Sequence, residues 1–197
     1  MKKGLIILAA AVLIQGAAWA DAVFVPPVAD VFDLDHYYAY TWGIDLGFST
    51  TDTPIVEAVL TFTDIYNWRV ENDHLYVHLL DNAPLGLRRK WDAWGGGDYF
   101  KNQGVLLANW NDPEEWNKTK DLVITLDTAQ LAALNSFGAD GRIAFGLDPD
   151  CHYYNKGVSF SIRTYIPPAA IVPAPAAVML SSVGLVLVGW LRTRKSL

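Results

Sequence analysis

The chain has 197 residues, a formal net charge of −6, 52% hydrophobic residues and one cysteine. An acidic balance opposes binding to nucleic-acid phosphates and to anionic lipid heads, and the single Cys151 excludes an internal disulfide. Much of the hydrophobic content lies at the two ends, which sets targeting segments apart from a more polar middle.

Residues 1–20 begin with Lys2 and Lys3, run through an apolar stretch at 4–14, and place Ala18 and Ala20 just before a cut ahead of Asp21. These are the three parts of a secretory signal peptide. The apolar stretch is well below the about 20 residues that a membrane span needs. All 21 acidic residues lie within 21–175 and five of the 15 basic residues do not, so that segment carries a net charge of −11. At about 145 residues it is long enough for one domain with its own core. Export would expose that domain to an oxidising compartment, so it must hold by packing or by a bound ion, with Cys151 buried.

A leader at residues 21–33 precedes a domain at 34–166. Runs rich in β-branched and aromatic residues, each closed by turn residues, predict strands at 37–48, 55–63, 74–81, 105–110, 122–126, 142–147 and 158–164. In the third of these runs, Leu75, Val77 and Leu79 alternate with His74, Tyr76 and His78, the pattern of a half-buried antiparallel strand. Two strand repeats separate the histidines by about 13 Å, too far to chelate one metal without a third element. They read as neutral surface imidazoles.

Residues 82–104 are too long and too rich in Gly and Trp for a simple hairpin, and they read as a long functional or disordered loop. One short helix follows, with Asp127 and Gln130 spaced as a capping box, Leu131 and Leu134 on one face, and Asn135 or Gly138 at its close. Seven strands without a βαβ rhythm predict an all-β fold, an antiparallel β-sandwich of jelly-roll or immunoglobulin-like architecture with one short helix.

The C-terminal end has a Pro-rich linker at 167–175, an uninterrupted apolar stretch of 16 residues at 176–191, and a basic tail at 192–197 with Arg192, Arg194 and Lys195. As a helix the stretch covers roughly 24 Å of an about 30 Å hydrocarbon core, so Arg192 must snorkel. The cationic end suits a single transmembrane helix that stops translocation.

Pro173, Ala174 and Pro175, followed by that span and the basic cluster, resemble the PEP-CTERM sorting signal of bacterial exported proteins, with Ala174 where glutamate is usual. The resemblance implies a precursor held in the inner membrane until an exosortase-type membrane transpeptidase cuts near the motif. It also implies delivery to the cell surface or an extracellular matrix rich in polysaccharide. A permanent single-span anchor has the same topology.

Six tryptophans fall in the domain. Trp42, Trp68 and Trp110 lie on predicted strands or at their ends and read as core. Trp91 and Trp94 share the long loop with Tyr99, and aromatic faces there can stack on sugar rings while Asp92 and Asp98 accept bonds from hydroxyls. Asp148, Asp150 and Asn155, with His152 beside them, could offer oxygen ligands to Ca²⁺, although Asp-Pro-Asp is also ordinary turn chemistry. Asp33, Asp35, His36, Tyr37 and Tyr38 repeat that flavour, and the two sets could meet if first and last strands lie together. Catalytic signatures such as Gly-x-Ser-x-Gly and His-Glu-x-x-His are missing. Pairs such as Glu114 and Glu115 arise by chance in so acidic a domain. The sequence therefore predicts a non-catalytic envelope or matrix protein that binds polysaccharide. The alternatives are a small glycan hydrolase and a Ca²⁺-stabilised structural component.

Overall fold

Phe145 and Phe160 meet edge to face with ring centroids 4.8 Å apart, and they come from two different sheets. The computed structural model describes residues 18–27, 29–69, 73–93, 95–112 and 118–166. They form eleven strands: β1 Ala18–Phe24, β2 Asp33–Leu34, β3 Tyr38–Asp45, β4 Ile55–Asn67, β5 Leu75–Leu80, β6 Gly86–Trp91, β7 Val105–Trp110, β8 Lys120–Thr125, β9 Arg142–Pro149, β10 Tyr153–Tyr154 and β11 Gly157–Ile166, with one helix, α1 Thr128–Phe137. One sheet runs β1-β11-β4-β10-β2 with β8 on β4; the other runs β6-β3-β9-β5-β7. Every pairing between these strands is antiparallel.

The alternation read from the sequence supplies the inner faces. Leu75, Val77 and Leu79 of β5 and Leu60, Phe62 and Ile65 of β4 are completely buried in one core with Tyr40, Tyr153, Phe145 and Phe160. Burying each such side chain contributes about 1.5–3 kcal/mol. Trp110 of β7 meets Tyr153 of β10 at 5.3 Å, a second aromatic contact between the sheets. The result is a sandwich-like all-β fold.

β10 and β11 behave as one interrupted strand. Tyr154↔Tyr66 continues the register of Gly157↔Thr63 along β4, past a break at Asn155 and Lys156. Asn155 makes the break: its side-chain amide donates to the Val31 carbonyl and its side-chain oxygen accepts from the Gly157 N–H. The β2–β10 pairing, Leu34↔Tyr153 and Asp33↔Tyr154, then lays the start of the domain against its last turn.

All seven predicted strands are present, and α1 carries the expected reciprocal cap, Gln130 N–H to Asp127 at 2.8 Å and Asp127 N–H to Gln130 at 3.0 Å. Four readings need correction. Residues 86–91 of the supposed loop are β6, paired along β3. His78 is not a surface imidazole: it is 3% exposed, because residues 98–103 fold over it and Asp98 and the Gln103 carbonyl take its two ring nitrogens. Trp68 is not core but 43% exposed. Asp148 sits inside β9, not in a turn, and is buried.

Among the described residues no helix is long and apolar enough to cross a membrane. The expected span at 176–191, the motif Pro173, Ala174 and Pro175, the stop at Arg192, Arg194 and Lys195, and residues 1–17 of the expected signal peptide lie outside the described residues. So do Trp94, Glu114, Glu115 and Trp116. β1 begins at Ala18, so a cut ahead of Asp21 would shorten that edge strand and leave residues 21–24 on β11.

Candidate functional site

The two acid-histidine-tyrosine segments do meet, through β2 and β10. His152, on the turn before β10, faces Asp33 of β2: its Nδ1 lies 2.9 Å from Asp33 Oδ1. Its Nε2 lies 3.7 Å from Asp35 Oδ1. His36 Nδ1 approaches the same Asp35 oxygen at 3.6 Å. Asp35 is held by a local turn, accepting from the Tyr37 N–H at 3.0 Å while its own N–H donates to the buried Tyr40 hydroxyl at 3.0 Å. Burial pushes that phenol up to about 12, so it stays a neutral donor and acceptor.

Aromatic rings continue outward from this polar centre on both sides. His36 packs on Tyr37 at 3.9 Å, and Tyr37 stacks flat on Trp91 at 5.5 Å with an interplanar angle of 11°. In the other direction His36 meets His152 at 5.0 Å, His152 stacks on Tyr154 at 6.0 Å, and Tyr154 meets Tyr66 at 5.4 Å. Trp68 lies edge-on to His152 at 6.1 Å. The outcome is one chain of rings running from Trp91 at 58% exposure to Trp68. Trp91 is turned outward because the β3–β6 register sets it opposite Tyr38 at the end of the edge strand. Arg89 covers the Tyr38 ring at 4.7 Å from its centroid.

Beyond β6 a groove of about 470 Å³ opens, floored by Ala39, Leu80 and Phe100 and rimmed by Arg88, Lys90 and Tyr99. Its walls are paired residues: Ala39↔Lys90 and Thr41↔Arg88 share one face of the β3–β6 ribbon. Three consecutive cations in so acidic a domain give this groove a local sign opposite to that of the whole.

The remaining sequence candidates have other work. Asp98 binds His78 and accepts from the Phe100 N–H at 3.0 Å. Asp148 accepts from the Tyr99 N–H at 2.7 Å. Burial, with the charges of Asp92 and Asp150 nearby, pushes its carboxyl up to about 7, and burial also raises Asp150. Each keeps one buried oxygen without a hydrogen-bond donor. Asn155 does not join them, since both ends of its amide are committed to Val31 and Gly157. Of the expected glycan set, Trp91 is a free platform and Tyr99 rims the groove, whereas Asp92 and Asp98 face inward partners.

The sequence names both sets and allows that they could meet, but it does not reveal Trp68 as a member of the surface, the stack of Tyr37 on Trp91 or the direct contact of the His36 and His152 rings. The available signal was the triplet His-Tyr-Tyr, which occurs at 36–38 and again at 152–154. No protein-family model matches this chain, and no curated protein matches it.

Proposed function

We propose that this is an exported, non-catalytic protein of the cell surface or extracellular matrix that binds polysaccharide along the ring array from Trp91 to Trp68. The carrying observation is the flat Tyr37–Trp91 stack with Trp91 open to solvent, because a rigid aromatic face offers the apolar side of a sugar ring a large contact at little entropic cost. The Arg88 and Lys90 rim of the neighbouring groove favours a polymer that carries carboxylates. Export, inner-membrane anchoring and exosortase-type processing rest on the two end segments and on their resemblance to sorting signals.

Affinity electrophoresis of the protein through gels containing acidic and neutral exopolysaccharides tests the binding. Trp91→Ala is expected to weaken retention about tenfold, the effect of losing roughly 1.4 kcal/mol of stacking, and Arg88→Ala to weaken it on acidic polymers only. Retention that Trp91→Ala leaves unchanged removes the array from the binding site.

A second reading, a matrix component stabilised by Ca²⁺, draws on Asp148 and Asp150, whose donorless buried oxygens lie in the interior near Asp92. Hard oxygen ligands of this kind suit that ion.

A further inference from the structure

One ligand atom from each of Asp35, His36 and His152 lies within 4.8 Å of the other two, the only such grouping of three His, Cys, Asp or Glu residues among the described residues. We infer that these three side chains bind a divalent transition metal of the zinc class, with Asp33 as the outer carboxylate that orients His152. The site shares His36 and His152 with the ring array, but it rests on its own geometry and does not need the glycan reading.

The protons carry the first part of the argument. A carboxylate only accepts, so the 2.9 Å contact with Asp33 assigns the imidazole N–H to Nδ1 of His152. In the neutral ring, Nε2 then points a lone pair toward Asp35 Oδ1, 3.7 Å away. Two acceptors facing each other form no hydrogen bond, and a cation between them turns the opposition into ligation. The carboxylate–imidazole–metal relay is the usual way a ligating histidine is held in its tautomer.

Distances carry the second part. With metal–ligand bonds of about 2.0–2.2 Å, neighbouring ligand atoms in a tetrahedron are about 3.3–3.6 Å apart. The two separations from Asp35 Oδ1, 3.6 and 3.7 Å, already match within a few tenths. Two imidazoles and a carboxylate suit Zn²⁺, Ni²⁺ or Cu²⁺ better than Ca²⁺. The side chains of His36 and His152 are 25% and 23% exposed, so a fourth position opens to solvent for water or an incoming oxygen ligand. Such an ion would also tie residues 35–36 to residue 152 across most of the domain, a cross-link that a chain with one cysteine cannot obtain from a disulfide.

The experiment is a titration of the full chain, purified in detergent without a histidine tag and stripped with chelator, using ZnCl₂ by calorimetry and CoCl₂ by visible absorption. The expected result is one metal per chain, intense Co²⁺ bands of four-coordinate geometry, and a melting temperature raised by Zn²⁺. His36→Ala and His152→Ala should each abolish this, and Asp33→Asn should weaken affinity 10–100-fold. Retention on polysaccharide gels run with chelator present reads the glycan surface without metal, which separates failure of the metal site from failure of the glycan surface. Should His152→Ala not fold, His36→Ala, whose ring is peripheral to the β2–β10 pairing, decides alone. Absence of binding, or binding that His36→Ala does not alter, overturns the inference: the two imidazoles are then simply ion-paired with Asp33 and Asp35.

Discussion

Asp148 is 1% exposed and has two acidic neighbours, so its ionised form is costly in the folded protein. The folded carboxyl titrates at about 7 against 3.8 in the unfolded chain. Between those values the native state holds a proton that the unfolded state has released, so stability is greatest on the acidic side. It falls as pH rises, by up to about 1.4 kcal/mol per pH unit, and levels off above about 7. Asp150, also raised by burial, adds in the same direction. Asp64 runs the other way, since Lys156 at 2.7 Å holds its carboxyl low, but it acts only at the acid end. Urea unfolding from pH 5 to pH 8 should therefore show a declining midpoint, and Asp148→Asn should flatten the decline. Adding CaCl₂ at pH 8 separates the two fates of the charge. A midpoint raised in the native sequence but not in Asp148→Asn supports Ca²⁺ in place of the proton, and no change counts against Ca²⁺ at Asp148.

At the scale of elements, α1 was legible because its cap is a local device. The Asp127–Gln130 exchange needs only a three-residue spacing, and Asp127→Ala should cost about 1 kcal/mol and lower Tm by about 3 °C in calorimetry. A Tm within 1 °C of the parent would show that tertiary packing of the buried Leu134 holds the helix without its cap. The strands that build the core were equally legible, since burying one face imposes alternation. Those missed are the ones whose pairing rather than burial defines them. β6, with Arg88, Arg89 and Lys90, shows no apolar alternation because both its faces meet solvent at a sheet edge. β2 and β10 have two residues each and exist only because distant segments meet. The candidate site inherits that difficulty: Trp91 was visible as an aromatic in a glycine-rich stretch, but its support by Tyr37, and the approach of His36 to His152, depend on a contact between residues 119 positions apart. His78 misled for the same reason, its cover being supplied by a segment twenty residues onward.

For the whole molecule, the described fold can be set against the two cuts that the proposed export route requires. Cutting ahead of Asp21 removes the pairs Ala18↔Ile166, Trp19↔Tyr165 and Ala20↔Thr164 from an outer strand whose three lost residues are exposed. The ladder from Asp21↔Arg163 to Phe24↔Phe160 remains, with Arg163 still bridging Asp21 at 3.0 Å and Glu57 at 2.7 Å. Among the described residues, the loss of 18–20 thus gives up no buried side chain. At the other end β11 closes at Ile166, so a cut near residues 173–175 falls beyond the last described strand and removes no residue of the two described sheets. Intact-mass spectrometry of the protein recovered from the producing cells reads both events together. The expected mass lacks residues 1–20 and the residues after about 175. A species that has lost only the N-terminal segment identifies a permanent anchor. Recovery of the unprocessed 197-residue chain from the cytosolic fraction would refute export, because the segments that account for the hydrophobic ends would then have no membrane to enter.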